Sequence, residues 1–255
     1  MSTKSSINQI ELEKFSKISS GWWQEDGEFK ILHQINPIRL GYIIDKIKYH
    51  FNIDDDVVLP SKLDILDVGC GGGLITSALC KLNGTVTGID ALQSNIDIAM
   101  KHAEEENLNI QYFKSTAEEL VYSNSKQYDV VLCLEVIEHI DNPSDFVKNL
   151  ASLVKPNGMI IISTINRTVK AYMLAILMAE YVLSWIPKKT HDHSKFLKPS
   201  EIYSMFSKNN IELKELKGLT YNIVNRSWQL SDDIEVNYFA YLTRPLAELA
   251  LNYAN

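Results

Sequence analysis

The sequence predicts an α/β fold, built on an open and mostly parallel sheet of seven strands with helices on both faces, behind an N-terminal helical region. Three observations predict it. Short apolar or β-branched runs alternate regularly with helical patterns from Leu63 onward, as in right-handed β-α-β units. A glycine-rich turn joins the first of these runs to the helix that follows. Two closing runs, Ile211 to Tyr221 and Val236 to Leu242, read as an antiparallel edge.

Taken in chain order, Ile7 to Ile18 and Pro37 to Phe51 carry apolar residues at helical spacing. Asn36 offers a cap to the second helix, with Pro37 at its first helical position, where the missing N–H costs nothing. Asp54 to Asp56 form an acidic loop, which divides an N-terminal region over 1–60 from a main domain over 61–255. Leu63 to Val68, Thr85 to Ile89, Ile110 to Phe113, Tyr128 to Leu132 and Met159 to Ser163 have the near-continuous apolar look of strands buried on both faces. Leu74 to Leu82, Ser94 to Glu106 and Ser144 to Val154 are the helices between them, and Pro199 to Lys208 is one more before the closing strands.

With 255 residues, 45% hydrophobic and 22% charged, the chain can bury one sizeable core. A net charge of -7 and an isoelectric point near 5.4 supply no basic field, so no nucleic-acid partner is expected. Cys70, Cys80 and Cys133 lack paired spacing and fall in apolar runs, which predicts reduced core thiols of a cytoplasmic protein. Met1 to Phe15 has no apolar signal core and carries Glu11 and Glu13, against a secretory or transit peptide.

The turn Asp67-Val68-Gly69-Cys70-Gly71-Gly72-Gly73 lets backbone approach a ligand without side-chain obstruction. A dinucleotide fingerprint needs glycines spaced G-x-G-x-x-G, whereas Leu74 occupies the last of those positions here. Asp67 beside the loop would repel a pyrophosphate and attract an ammonium. Asp90 ends the second strand 21 residues past Gly69, where a carboxylate accepts hydrogen bonds from ribose hydroxyls, or alternatively caps the next turn. A ligand with an ammonium, a ribose and no phosphate fits this set, and S-adenosylmethionine is such a ligand. Asp67, Gly69, Gly71 and Asp90 are its expected contacts.

A wider set of motifs resembles one family. Trp22-Trp23, Gly27-Glu28-Phe29, Leu32-His33, Ile35-Asn36-Pro37 and Arg39-Leu40-Gly41-Tyr42 lie before the loop. Ser163-Thr164-Ile165-Asn166-Arg167, Thr190-His191-Asp192 and Val236-Asn237-Tyr238 lie after it. Together, across Phe15 to Thr243, they resemble the ubiquinone biosynthesis O-methyltransferases, bacterial and mitochondrial enzymes that methylate catechol-type oxygens of a quinone head group. The resemblance implies a Rossmann-like class I S-adenosylmethionine-dependent methyltransferase. Its substrates would be polyprenylated phenols or quinols, of the 2-polyprenyl-6-hydroxyphenol and 3-demethylubiquinol types. It places cofactor contacts on Arg39, Gly69, Asp90 and Leu134, with Arg39 reaching the methionine carboxylate. Ser115-Thr116-Ala117-Glu118 departs from wider methyltransferase habit, which puts an acid at Thr116, so adenine recognition is expected on backbone near Ala117.

Glu135, Glu138 and His139 follow the fourth strand at i, i+3 and i+4, which puts them on one face if that turn is helical. Ligands of open parallel sheets sit beyond the carboxyl ends of the strands, so these three are the expected catalytic residues. The resemblance to the mitochondrial members implies that they bind a divalent metal. Two carboxylates and an imidazole suit Mg²⁺ with several waters, or zinc or manganese, and equally a metal-free general base. His33 and the His191-Asp192 pair are weaker candidates for the substrate mouth, with loop hydrogen bonding as the alternative.

Val169 to Ile186 is almost unbroken apolar sequence inside an insertion spanning 168–198. A helix of that length would reach about 27 Å, close to a bilayer core, but spanning would separate the closing strands from their sheet. Tyr172, Tyr181 and Trp185 with Lys170, Lys188 and Lys189 favour a helix lying in the membrane interface over a core or lid helix. A protein of the bacterial cytoplasm held peripherally on the inner membrane is therefore expected, with other ubiquinone-pathway enzymes as possible partners. Three other functions stay open: another small-molecule or lipid class I methyltransferase, an NAD-dependent oxidoreductase, and a non-catalytic membrane-associated scaffold.

Overall fold

The computed structural model describes residues 9–54, 59, 62–123, 126–177, 195–222 and 224–246. Helix α1 (Gln9–Ile18) runs into a 3₁₀ turn (Ser19–Gly21), and α2 (Lys30–Phe51) precedes the sheet. Strands β1 (Asp64–Val68), β2 (Thr85–Asp90), β3 (Gln111–Lys114), β4 (Tyr128–Leu134) and β5 (Val154–Ile165) are mutually parallel, in the order β3-β2-β1-β4-β5. Between them lie α3 (Leu74–Lys81), α4 (Gln93–Glu105), α5 (Ala117–Ser123), a 3₁₀ turn (Ile137–His139) and α6 (Pro143–Leu153). Helices α7 (Val169–Leu177) and α8 (Pro199–Ser207) lead to β6 (Glu212–Asn222), β7 (Ser227–Ser231) and β8 (Asn237–Thr243). Strand β8 inserts antiparallel between β5 and β6, and β7 closes the edge.

The expected architecture stands, with one more strand than the seven read from sequence: among the described residues the sheet has eight. Strand β7, Ser-Trp-Gln-Leu-Ser, was not expected because it is an edge strand with no apolar run to mark it.

Side-chain alternation along the central strands builds a core on each face. On β4, Val131 and Cys133 join Phe146, Val147 and Leu150 of α6 with Ile202 and Phe206 of α8. Val130, Leu132 and Leu134 join Ile43 and Ile47 of α2 with Ile75 and Leu79 of α3.

Helix α2 starts at Lys30, seven residues before the start expected at Pro37, and Pro37 lies inside it. Proline there removes a helix hydrogen bond and crowds the preceding turn. Ile31, Leu32, Ile35 and Ile38 nevertheless pack on the second core, and that burial outweighs the local defect.

Only the first half of the apolar segment, through Leu177, is described; Glu180, Tyr181, Trp185, Lys188, Lys189 and His191-Asp192 lie outside the described residues. Thr168 caps α7, its Oγ1 accepting from the Ala171 N–H at 2.9 Å. Lys170, expected to face lipid, instead donates to Asp233 Oδ2 at 2.7 Å and Glu235 Oε2 at 2.8 Å. Val169, Tyr172 and Met173 are 68%, 47% and 54% exposed, a large apolar display for one helical turn. Among the described residues no helix is long and apolar enough to cross a membrane.

Candidate active site

The glycine turn leaves β1 with Gly69 at φ 74° and Gly71 at φ 54°, a left-handed backbone that a side chain would strain. The N–H groups of Gly69 and Cys70 both donate to the Ile89 carbonyl, at 2.8 and 3.0 Å, tying the turn to β2. Their Cβ directions show a second requirement for the glycines, set by packing within the chain. A Cβ on Gly69 would lie 2.4 Å from Val136, and one on Gly71 would lie 2.3 Å from the Trp22 ring. The protein's own side chains fill those spaces, so the glycines also serve backbone geometry and packing around the turn.

Asp90, at the end of β2, accepts from the Gly71 N–H at 3.0 Å on Oδ2, and from the Leu92 N–H at 2.8 Å and Asn95 Nδ2 at 3.1 Å on Oδ1. Both sequence readings of Asp90 are therefore compatible. It organises the turn into α4, yet a carboxylate has about four acceptor sites, so capacity remains for hydroxyl donors. Burial raises its pKa, and the Leu92, Gly71 and Asn95 hydrogen bonds oppose that rise.

Helix α2 delivers Arg39 into the same region. Its guanidinium belongs to a residue only 5% exposed, and Nε has no hydrogen-bond partner. Burial pulls its pKa below the ordinary value, opposed by the fields of Glu135 and Asp67. Asp67 on β1 is 3% exposed, and burial pushes it up to about 7, against Arg39 and with help from Asp90. A buried cation with an unused donor, next to a buried acid of high proton affinity, has complementary places for a carboxylate and an ammonium on one ligand.

Leu134 is the buried last residue of β4, in register with Ser163 of β5. Beyond it the expected helical face does not form. Glu135 has φ 56°, and only the short 3₁₀ turn Ile137–His139 follows, so Glu135, Glu138 and His139 do not share an α-helical stripe. Strand β5 positions the two acids instead. The Glu135 N–H donates to the Ser163 carbonyl at 3.0 Å, and Ser163 Oγ donates to Glu135 Oε1 at 2.6 Å. Thr164 Oγ1 donates to Glu138 Oε2 at 2.9 Å. Glu138 is 4% exposed, and its pKa is pushed up to about 7, first by burial and then by Glu135, with His139 opposing.

This arrangement does not fit the metal expected at Glu135, Glu138 and His139. Among the described residues no group of three or more His, Cys, Asp or Glu is placed to hold an ion. A carboxylate dyad locked by neighbouring hydroxyls offers proton storage rather than a coordination sphere.

Ser163 and Thr164 were legible only as part of a motif; the signal of their role is two small hydroxyls ending an otherwise apolar strand beside β4. His33 serves the loop alternative, its Nε2–H donating to the Trp22 carbonyl at 2.8 Å. Near Ala117, Thr116 and Glu119 form a reciprocal cap, with the Thr116 N–H donating to Glu119 Oε2 at 2.9 Å, so that backbone donor is already engaged.

Comparison with known proteins shows the family and the fold. Residues 38–216 match the model of a methyltransferase domain family. A protein of Rickettsia bellii described as ubiquinone biosynthesis O-methyltransferase is 61% identical over 241 residues, covering 94% of this chain and 97% of its own. One of Rickettsia typhi with the same description is 57% identical, covering 96% and 97%. Among solved structures, magnesium protoporphyrin IX methyltransferase from Synechocystis, with bound S-adenosylhomocysteine, superposes with a TM-score of 0.65 at 18% identity, covering 92% of this chain and 98% of its own. A methyltransferase from Thermotoga maritima gives 0.61 at 14% identity, covering 92% and 99%. At such identity these structures speak for the fold.

Proposed function

Since this chain belongs to the ubiquinone biosynthesis O-methyltransferases, we propose that its site moves the methyl group of S-adenosylmethionine to a phenolic oxygen of a polyprenylated catechol-type precursor. The observation that carries the reading is the convergence, beyond the carboxyl ends of β1, β2 and β4, of two different functions. Arg39, Asp67 and Asp90 suit the carboxylate, ammonium and ribose of the donor, and Glu135, Glu138 and His139 suit a proton acceptor. Gly69 and Gly71 shape the turn that accompanies Asp67 and Asp90, and Leu134 ends β4 directly before Glu135.

The bound donor supplies an electrophilic methyl on a sulfonium. The chain's work is to orient the phenol and take its proton, because a free phenol with a pKa near about 10 is a poor nucleophile at neutral pH. Glu138, with a proton affinity matched to neutral pH, is the general base, and half-exposed Glu135 and His139 form the rim through which the substrate meets it. A lipid-tailed acceptor gives the exposed Val169, Tyr172 and Met173 of α7 a use: they dock the protein on the membrane surface that holds the substrate. That docking is by apolar contact, since Lys170 is neutralised by Asp233 and Glu235.

Incubation with methyl-labelled S-adenosylmethionine and a short-chain demethylubiquinol, with and without a chelator, tests the reading. Label is expected on the phenolic oxygen in both conditions. Label appearing only with a non-phenolic lipid acceptor would replace ubiquinone precursors by another lipid substrate, and loss of activity with chelator would restore a metal. In the same assay Asp90→Ala should weaken donor binding roughly 10- to 100-fold, the effect of losing hydrogen bonds to a charged group. Calorimetry finding wild-type affinity in a folded variant would remove Asp90 from the donor site.

A further inference from the structure

The segment between the first 3₁₀ turn and α2 is fastened across the glycine turn by groups that have no role in the chemistry above. Trp22 Nε1 donates to Asn95 Oδ1 at 2.9 Å, and Asn95 Nδ2 in turn donates to Asp90 Oδ1 at 3.1 Å. Trp23 Nε1 donates to the Gly72 carbonyl at 2.9 Å. The Trp22 ring lies directly on the turn, since a Cβ on Gly71 or Gly72 would fall 2.3 or 2.4 Å from it, and the ring also stacks on Phe29 with centroids 3.9 Å apart. Trp23 stacks on His102 of α4, at 3.4 Å between centroids.

We propose that residues 19–29 are a strap latched over the cofactor turn by Trp22, Trp23 and Asn95, and that release of this latch gates entry and exit of the adenosyl cofactor. This rests on the assignment of Asp90 and the turn to S-adenosylmethionine. The two indoles are anchored on the turn and on α4, and the Trp22 carbonyl also accepts from His33 of α2, so opening the strap disturbs the donor site directly. The strap also continues into α2, which carries Arg39. One segment therefore governs both ends of the donor, the carboxylate end through Arg39 and the ribose end through Asn95 and Asp90. Asn95, buried and bonded to both Trp22 and Asp90, is the positioning residue that couples them.

The latch depends on two indole N–H donors. Trp22→Phe and Trp23→Phe remove one donor each while keeping an aromatic ring on the turn and on His102. The measurements are the association and dissociation rates of labelled S-adenosylhomocysteine, by rapid filtration and isotope dilution, on the full chain. Each variant should raise the dissociation rate about two- to tenfold, the worth of one hydrogen bond. Each should also raise the association rate, because a gate slows passage in both directions. In the Asn95→Leu background, Trp22→Phe should add nothing further, since the shared bond is already gone. Faster dissociation with unchanged association would show an ordinary ligand contact and overturn the gate, as would wild-type rates in both folded variants. Failure of the wild-type chain to hold S-adenosylhomocysteine at all would overturn the donor-site assignment itself, and the gate with it.

Discussion

Glu138→Gln is expected to lower turnover by roughly 10²- to 10⁴-fold, the usual worth of a general base, with S-adenosylhomocysteine affinity within about threefold of wild type. Glutamine keeps the shape of the side chain and an oxygen for the Thr164 hydroxyl, so the lesion is confined to proton transfer. The same substitution changes stability in a way that identifies the group. The folded chain holds the Glu138 proton more tightly than an ordinary carboxyl of 4.5, at about 7, because burial and Glu135 disfavour the anion. The stabilisation from that proton is complete below about 4.5 and is lost as pH rises through about 7. Wild-type melting temperature should therefore fall between pH 5 and 8, and Glu138→Gln should flatten the fall. Asp67, also at about 7, contributes with the same sign and leaves some slope in the variant. Steady-state kinetics with thermal melts across that range is the measurement. Turnover within threefold of wild type would move the base to Glu135 or His139.

Arg39→Ala is expected to raise the dissociation constant for S-adenosylmethionine at least about 100-fold. Removing one member of a buried charge pair typically costs about 3–5 kcal/mol, and about 1.4 kcal/mol corresponds to a tenfold change. Two effects act together. The donor carboxylate loses a charged, fork-shaped partner, and Asp67 loses the cation that opposes its protonation, so the acid meant for the ammonium is more often neutral. Arg39→Lys keeps the charge without the fork and should fall between the two. Raising the pH from 7 to 8.5 should recover part of the alanine variant's affinity by ionising Asp67, a recovery that Asp67→Asn would abolish. Titration calorimetry with a folded Arg39→Ala chain decides; affinity within threefold of wild type would free Arg39 of any role at the carboxylate.

Where burial is governed by local periodicity, the sequence was readable. The parallel strands show it best: β1, β2 and β4 are buried along nearly their whole length, which leaves an uninterrupted apolar record. Helix α2 was misplaced at its start because Asn36-Pro37 is a local start signal, while the packing that carries the helix back to Lys30 comes from distant residues. Strand β7 was missed for the converse reason, since an edge strand with one wet face needs no apolar run. The places of Asp67 and Asp90 near the ends of β1 and β2 were legible. The turn after β4 was not: its spacing suggested a helix, but Glu135 adopts φ 56° and pairs with Ser163 across the sheet, an interaction set by strand register. The packing that requires Gly71 to be bare was not legible, because it comes from Trp22, far away in the chain.

The insertion of β8 between β5 and β6 bears on how this protein is made. As the chain emerges during synthesis, β5 and β6 are complete before Asn237 to Thr243 appear, yet each lacks one of its two sheet neighbours until then. A nascent chain therefore carries two unsatisfied strand edges beside an almost finished core, the kind of surface that pairs with other chains. A stop codon just before Asn237 would remove an interior strand of the sheet, leaving the donor residues present but their platform open. For this fold a truncation of that kind is a loss of the sheet's continuity, and aggregation or degradation of the product is the expected fate.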